Sequence, residues 1–365
     1  MSETPFSRST NCRVSDALTY CKMHAVVLEN ELLQVLVLPQ KGAEIYSIRY
    51  KPLDIDPLLH YRALQTPNAY PSTLPMADGA FADVYDGGWQ VMFPSGGGAN
   101  SALGTSFGRH GEAALLSWNW QIVEDKPERV CVRFFVTMQR TPFLYERFLR
   151  LESGKADLVF EEKITNLGGE TLPYMWGHHP AFGTPFLDGS CVLDVSGAVV
   201  ESLVNGGPAA RVADGIRQTW PLVEGKNGEK LDLRYIPENG QHTMDMLFLT
   251  DLEQGWYALT NRSLGLGFAL IWELEHFPVL WVWQEFGGSK GYPWYANTYA
   301  LGLEPCTNYS TGEGDGLAGC IKTGAAPLLE PGETRSTCLR AVLYPASDAQ
   351  GVQEIDKDNR VILKL

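Results

Sequence analysis

Short apolar segments separated by frequent turn residues are the feature that most constrains the fold of this chain. Glycine (37) and proline (22) are scattered along the sequence, often in Asn-Gly or Pro-Gly turns between the apolar segments. Alternation of side-chain type and enrichment in β-branched and aromatic residues favour strand over helix. The strands predicted in this way are Leu32–Leu38, Ala43–Tyr50, Val130–Thr137, Leu158–Ile164, Trp256–Thr260, Gly267–Trp272, Val279–Glu285, Tyr299–Leu303 and Ser336–Leu343.

Windows with a helical pattern are scarce, and only Asp83–Gln90 and Pro57–Leu64 suggest a turn or two of helix. An α/β fold would need long amphipathic windows between the strands, and the sequence does not contain them. No repeat, low-complexity tract or linker divides the chain. The sequence therefore predicts an all-β sandwich or barrel that forms one domain over residues 1–365.

Composition places the chain among folded, water-soluble proteins, with 44% hydrophobic and 20% charged residues among 365. The formal net charge of -14 argues against a nucleic-acid partner, because phosphate binding needs clustered Lys and Arg. The same charge disfavours anionic membranes, and no apolar run approaches the ~18 residues expected of a membrane span. A neutral small molecule such as a sugar is compatible with this balance.

The predicted compartment is the cytoplasm. The first ten residues lack the basic stretch and apolar core of a signal peptide. The seven cysteines form no CxxC pair and are odd in number, which is typical of free thiols in a reducing compartment.

Aromatic residues concentrate between positions 272 and 299, among them Trp281, Trp283 and Trp294. Large rings bury large areas, so most of them are expected in the core. Rings can also stack on the apolar faces of a sugar. Alternating strand geometry allows both roles, because one face of Trp281–Glu285 points inward and the other outward.

Two histidines stand side by side as His178 and His179, followed by Pro180. Neighbours in an extended chain point to opposite faces, so only one of them can face a given site. Pro180 favours the extended conformation for His179. His110 follows Arg109 between two glycines, which permit close approach of another chain or a ligand. A hydrogen-bonded core or surface role remains open for each histidine.

Among the many carboxylates, Glu304 stands out by its context. It ends an apolar strand, and Pro305 cannot donate a ladder hydrogen bond after it. A partly desolvated carboxylate there would have a raised pKa, suited to acid–base catalysis, although a solvated strand end is an equal alternative. Asp245 and Glu285 are similar candidates with less support.

Other chemistries lack their motifs. The sequence has no HxH, HExxH or other zinc spacing, so we predict no metal. It has no GxSxG, which disfavours a serine nucleophile. The glycine run within 94–100 does not match a phosphate-binding loop. We predict no cofactor.

Four short segments in order resemble the aldose 1-epimerase (galactose mutarotase-like) family over about residues 25–345. They are an Arg-His-Gly, a His-x-x-Phe, an Asp-x-x-Phe and a Leu-Glu-Pro segment, which begin at Arg109, His179, Asp245 and Leu303. The resemblance implies a large antiparallel β-supersandwich with a sugar cleft on its concave face. It further implies an enzyme that interconverts the α and β anomers of an aldose.

By the same resemblance, His179 is the general acid and Glu304 the general base. His110 and Asp245 are implied to bind the sugar, and Trp283 is the expected stacking platform. The family often carries a sugar-contacting arginine where this chain reads Ser95–Asn100, so Arg109 or Arg49 is the expected substitute. Two alternatives remain: a non-catalytic sugar-binding module, and a glycoside hydrolase or polysaccharide lyase on a related supersandwich. A hydrolase would need a second carboxylate near Glu304.

Overall fold

The computed structural model describes residues 11–61, 79–309 and 316–365. Two large antiparallel sheets dominate this part of the chain. The first, which we call the front sheet, has eleven strands. In spatial order they are β1 (Arg13–Tyr20), β2 (Met23–Glu29), β3 (Leu33–Leu38), β4 (Glu44–Tyr50), β5 (Trp89–Met92), β13 (Gly177–Phe182), β23 (Tyr299–Cys306), β22 (Val279–Phe286), β19 (Thr243–Thr250), β15 (Val199–Ser202) and β16 (Arg217–Thr219).

The second, which we call the back sheet, has eight strands. In spatial order they are β14 (Cys191–Val195), β20 (Trp256–Asn261), β21 (Leu266–Trp272), β25 (Thr334–Pro345), β11 (Asp157–Asn166), β10 (Phe143–Glu152), β9 (Arg129–Thr137) and β8 (Asn119–Lys126). The chain passes between the two sheets several times, so in the front sheet β5 lies next to β13 and β13 next to β23.

Four two-stranded sheets, two short α-helices and two 3-10 helices (Pro39–Lys41 and Ala113–Leu115) accompany the large sheets among the described residues. The small sheets pair β6 (Asn100–Ala102) with β7 (Thr105–Phe107), β12 (Leu172–Pro173) with β24 (Leu328–Leu329), β17 (Leu222–Glu224) with β18 (Lys230–Asp232) and β26 (Gly351–Ile355) with β27 (Val361–Lys364). The α-helices are α1 (Gly79–Val84) and α2 (Gly316–Thr323). Neither is long and apolar enough to cross a membrane, and no other described helix is.

All nine strands predicted from the sequence are confirmed, with ends that differ by at most three residues. The helical predictions are less accurate. The window Asp83–Gln90 overlaps only the last two residues of α1 and then runs into β5. In Pro57–Leu64, Leu58 and His60 form isolated bridges rather than a helix, and residues 62–64 lie outside the described residues. The sequence pattern did not predict α2.

The space between the two large sheets is filled by aromatic and branched side chains. Trp89 of the front sheet packs on Phe160 of the back sheet, with ring centroids 4.7 Å apart. Phe182 packs on Phe268 in the same way at 5.0 Å. Because side chains alternate along a strand, the chain neighbours of Trp89 and Phe182 in the front sheet point to its other face. That outer face carries the site.

Candidate active site

Strand register brings His179 and Glu304 to the same place. Strands β13 and β23 pair so that Gly177 lies opposite Cys306 and Ala181 opposite Gly302. The midpoint of that register places His179 directly opposite Glu304, and opposed residues of an antiparallel pair project from the same face. His179 Nε2 lies 3.5 Å from Glu304 Oε1. Both side chains are buried.

The same register extends across the front sheet and forms the floor of a cleft. Trp281 lies opposite Glu304, and Phe248 lies opposite Trp281. In the next row, Gly302 lies opposite Trp283, which lies opposite Met246. The cleft above this floor has a volume of about 680 Å³. His179 and Glu304 stand at its centre.

Burial governs the protonation of the central pair. Burial, with a smaller contribution from the nearby Arg109, lowers the pKa of His179 to about 4. Burial raises the pKa of Glu304 well above its ordinary value, while Arg109 opposes that rise. Desolvation thus disfavours the charged forms of both groups.

His110 lies beside this pair in a defined tautomer. Its ring centroid lies 5.0 Å from that of His179. The Gly97 backbone N–H donates a hydrogen bond to His110 Nδ1 (3.2 Å), so the proton is assigned to Nε2. Burial, with the neighbouring His179 and Arg109, lowers the pKa of His110 well below its ordinary value. His110 thus offers a neutral N–H donor.

Arg109 lines the cleft and is its cationic side chain among the described residues. It is close enough to His179, His110 and Glu304 to influence the pKa of each. The alternative substitute, Arg49, forms an ion pair with Asp54 at the surface and does not line the cleft. Of the two arginines expected from the sequence, the structure brings Arg109 to the site.

An aromatic wall covers one half of the cleft. Trp283 packs on Trp294 with ring centroids 5.0 Å apart, and Tyr85 meets the Trp294 ring edge-on at 5.9 Å. Tyr85 also lies edge-on against His179 at 5.4 Å. Trp283 therefore lines the cleft as expected, whereas Tyr85 was missed because it follows α1 in a segment with no strand pattern.

The structure does not bring Asp245 to the cleft. It alternates with Met246 along β19, and Met246 is the residue that faces the cleft. The carboxylate of Asp245 instead accepts hydrogen bonds from the backbone N–H groups of Arg211 (2.9 Å) and Val212 (3.0 Å) and from Arg211 Nε (3.2 Å). The sugar-binding role of Asp245 therefore stays a prediction that this geometry does not support, and the residue holds a loop in place.

His178 faces the opposite side of the front sheet and belongs to a buried network between the sheets. Its Nε2 lies 3.2 Å from Glu162 Oε2, and its Nδ1 accepts a hydrogen bond from Trp89 Nε1 (3.3 Å). Arg147 Nε also donates to Glu162 (2.5 Å). Burial alone would raise the pKa of Glu162, but Arg147 and His178 bring it down to about 2. His178 thus links β13 to Glu162 in the space between the two sheets.

A glycine-containing segment and α2 close the other half of the cleft. Ser95 Oγ accepts a hydrogen bond from the Leu317 N–H (3.1 Å), and Asn100 Oδ1 accepts one from the Ala318 N–H (3.3 Å). These bonds satisfy N–H groups in the first turn of α2, which otherwise lack partners. Cys320 of α2 lines the cleft.

Comparison with known proteins identifies the family to which the chain belongs. A family model described as a domain of unknown function (DUF4432) matches residues 23–342. The chain belongs to the DUF4432 family. This DUF4432 protein is also 29% identical over 177 residues to protein LacX of Lactococcus lactis, in its plasmid and chromosomal forms. The match covers 46% of this chain and 53% of LacX, so the chain spans about half the length of the curated relatives it matches.

Solved structures similar to the DUF4432 protein share its fold. A protein from Klebsiella pneumoniae, provisionally named an aldose 1-epimerase, is 15% identical with a TM-score of 0.68, over 92% of this chain and 84% of that one. A galactose mutarotase-like protein from Clostridium acetobutylicum is 15% identical with a TM-score of 0.60, over 92% and 100% of the two chains. These likenesses confirm the predicted galactose mutarotase-like β-supersandwich.

Proposed function

We propose that this DUF4432 protein is an aldose 1-epimerase, with His179 and Glu304 as its acid–base pair. The observation that carries the proposal is their position opposite each other at the centre of the cleft floor, with 3.5 Å between Nε2 and Oε1. Interconversion of anomers needs one group that removes the proton of the anomeric hydroxyl and one that protonates the ring oxygen. A base and an acid that lie side by side, as Glu304 and His179 do, meet that need.

His179 and Glu304 share one proton in this proposal, and that number suits the reaction. A neutral imidazole with a carboxylic acid holds the same one proton as an imidazolium with a carboxylate. Transfer of that proton from Glu304 to His179 gives the carboxylate base and imidazolium acid that the family resemblance implies. Glu304 then takes the proton of the anomeric hydroxyl while His179 delivers its proton to the ring oxygen. The bond from C1 to the ring oxygen breaks, the aldehyde rotates, and closure on its other face returns both protons.

Arg109 and His110 support this assignment through their charge and hydrogen-bond character. The positive charge of Arg109 lowers the pKa of Glu304, which favours the carboxylate form that acts as base. The N–H of neutral His110 can donate to a sugar oxygen beside His179. We propose that these two residues hold the sugar hydroxyls near C1, in place of the arginine that the family often carries elsewhere.

A glycoside hydrolase is less compatible with the cleft. Among the described residues that line it, Glu304 is the single carboxylate. The other sequence candidates are engaged elsewhere: Asp245 binds Arg211 and Val212, and Glu285 accepts a hydrogen bond from the Ser289 N–H (3.0 Å). Two carboxylates across a glycosidic bond are the usual requirement for hydrolysis. A non-catalytic sugar-binding module remains the alternative to test.

The test measures anomer exchange in a panel of aldoses by NMR exchange spectroscopy or polarimetry. We expect the wild-type protein to accelerate exchange of at least one sugar. We expect Glu304→Gln and His179→Asn each to lower that rate by ~10²–10⁴-fold, the usual contribution of a positioned acid or base.

Two substitutions outside the cleft, Glu146→Gln and His60→Asn, serve as controls of matched chemistry and should keep wild-type rates. Circular dichroism and thermal melting would show that all four variants fold. Wild-type rates in both Glu304→Gln and His179→Asn would refute the assignment. Sugar binding without accelerated exchange in the wild-type protein would favour the binding module.

A further inference from the structure

The half of the cleft opposite the aromatic wall is built from apolar side chains, and we call it the apolar half. It is lined by Met175, Leu203, Met246, Phe248, Trp281 and Cys320. Met175, Phe248, Trp281 and Cys320 are buried within one hydrophobic cluster, against which Leu203 and Met246 pack. The apolar half adjoins the central pair directly, because Trp281 lies opposite Glu304 in the strand register.

The polar atoms around the apolar half are already engaged within the protein. Trp281 Nε1 donates to the Asn308 carbonyl (2.8 Å), and the Tyr309 hydroxyl donates to Glu201 Oε1 (2.9 Å). The Gly96 N–H donates to Met175 Sδ (3.5 Å), and the Gly97 N–H is used by His110. Among the described residues, a ligand in this half thus meets few groups that can form a new hydrogen bond.

The Asp245 side chain points away from the cleft, and this also reduces the hydrogen-bonding groups that the apolar half offers. A carboxylate at a cleft-facing position of β19 would accept hydrogen bonds from two sugar hydroxyls. This chain presents the Met246 thioether and the Phe248 ring there instead. Among the described lining residues there is no aspartate, asparagine or glutamine. A hydroxyl buried in this half would lose its water without a replacement, which typically lowers affinity by ~5–150-fold.

The volume of the cleft also bears on what the apolar half can accommodate. About 680 Å³ lies in the range that holds drug-sized ligands, so a monosaccharide leaves part of the cleft unfilled. Hydrogen-bonding side chains are concentrated at the centre, near the atoms C1, O1 and O5 that the reaction requires. The remote end of a ligand that extends into the apolar half then lies against an apolar surface.

From this arrangement we infer the substrate class, an inference that rests on the proposed function. The preferred substrate is an aldose that carries an apolar group, such as a methyl or O-alkyl group, in place of a hydroxyl at the end remote from C1. The central residues bind the polar end of this sugar, and the apolar half accommodates the substituent. Fully hydroxylated hexoses are the disfavoured class.

The experiment compares sugars that differ at one remote position only. Suitable probes are D-fucose with D-galactose, L-rhamnose with L-mannose, and 6-O-methyl-D-galactose with D-galactose. Binding is measured by calorimetry on Glu304→Gln, and kcat/KM for anomer exchange on the wild-type protein. We expect the less polar member of at least one pair to be favoured by ~10-fold or more in both measurements.

A variant on the floor of the apolar half gives a second readout. Met246→Gln adds an amide of similar length at a half-buried position, and it should shift the preference toward the hydroxylated member by several fold. Met244→Gln is the matched control, because Met244 lies on the same strand and the same face, also half-buried, but outside the cleft. It should leave the preference unchanged.

The outcomes separate the inference from the proposed function. Equal or tighter binding of the hydroxylated member in every pair overturns the inference, even where anomer exchange is accelerated. An unchanged preference in Met246→Gln also counts against it. A preference for the apolar member in binding, with no acceleration of exchange, supports the apolar half and refutes the epimerase.

Discussion

Gly302 is the position where one added methyl group should disturb the acid–base pair without disturbing the fold. It lies in β23 next to Trp283, and the carboxylate of Glu304 leans over it. An ideal Cβ at position 302 would lie 2.5 Å from Glu304 Oε1 and 3.2 Å from the nearest ring carbon of Trp283. The backbone of Gly302 is not in the left-handed region, so alanine can adopt its conformation.

The size of the effect follows from these distances. Ordinary contact with a Cβ begins at 3.4 Å, so in Gly302→Ala the carboxylate must move by about 0.9 Å, with a shift of a few tenths of an ångström at Trp283. A misplacement of ~1 Å in a catalytic group can lower the rate by ~10²-fold. Replacing glycine by alanine within a strand otherwise gains ~0.5–1 kcal/mol of stability. We therefore expect a large loss of activity with an almost unchanged free energy of unfolding.

The assay is anomer exchange on the best wild-type substrate, with denaturant unfolding measured in parallel. Gly169→Ala is the matched control, because a Cβ there meets no atom within 4 Å and the backbone is again compatible with alanine. A Gly302→Ala rate within threefold of wild type would refute the idea that the carboxylate position limits the reaction. A strong loss of stability would show instead that the strand, and not the carboxylate, had moved.

Two further predictions concern the buried charges. Because burial raises the folded-state pKa of Glu304, the unfolded chain loses this proton first as pH rises above 4.5, and stability falls until the pH reaches the folded-state pKa. The stability of Glu304→Gln relative to wild type, measured by thermal melting, should therefore increase as the pH rises from 4.5, and a relative stability that decreases with pH would contradict this. Asp245→Asn should lower the free energy of unfolding by ~1–3 kcal/mol, because it weakens the charge-assisted hydrogen bond with the partly buried Arg211, while leaving KM for the sugar within about twofold; a KM that rises with little loss of stability would restore Asp245 as a sugar ligand.

The strands could be predicted because local pattern and burial agree. In β9 and β10 buried and partly exposed side chains alternate along almost the whole strand, which is the signature that the sequence carries. The adjacent position of His179 and Glu304 could not be derived from pattern alone. It depends on the pairing of strands more than a hundred residues apart, and only the resemblance to a family suggested it.

The parts that the sequence did not predict have identifiable physical reasons. Helix α2 is eight residues long, and N–H groups of its first turn donate hydrogen bonds to Ser95 and Asn100, so distant residues stabilise it rather than its own pattern. Tyr85 reaches His179 from an irregular segment. The pKa shifts of His179 and Glu304 depend on how completely the fold removes both from water, which no local motif records.

Side-chain parity explains why Glu304 lines the cleft and Asp245 does not. In a strand, a shift of one position moves a side chain to the opposite face of the sheet. The resemblance implied a role in the site for both Glu304 and Asp245, but a short motif does not fix which face of the sheet its residue occupies. Pairing does: Glu304 shares a face with Trp281 and Phe248, whereas Asp245 lies opposite Gln284, in a row that faces the other side of the sheet. On β19 the cleft therefore meets the Met246 thioether instead of the Asp245 carboxylate.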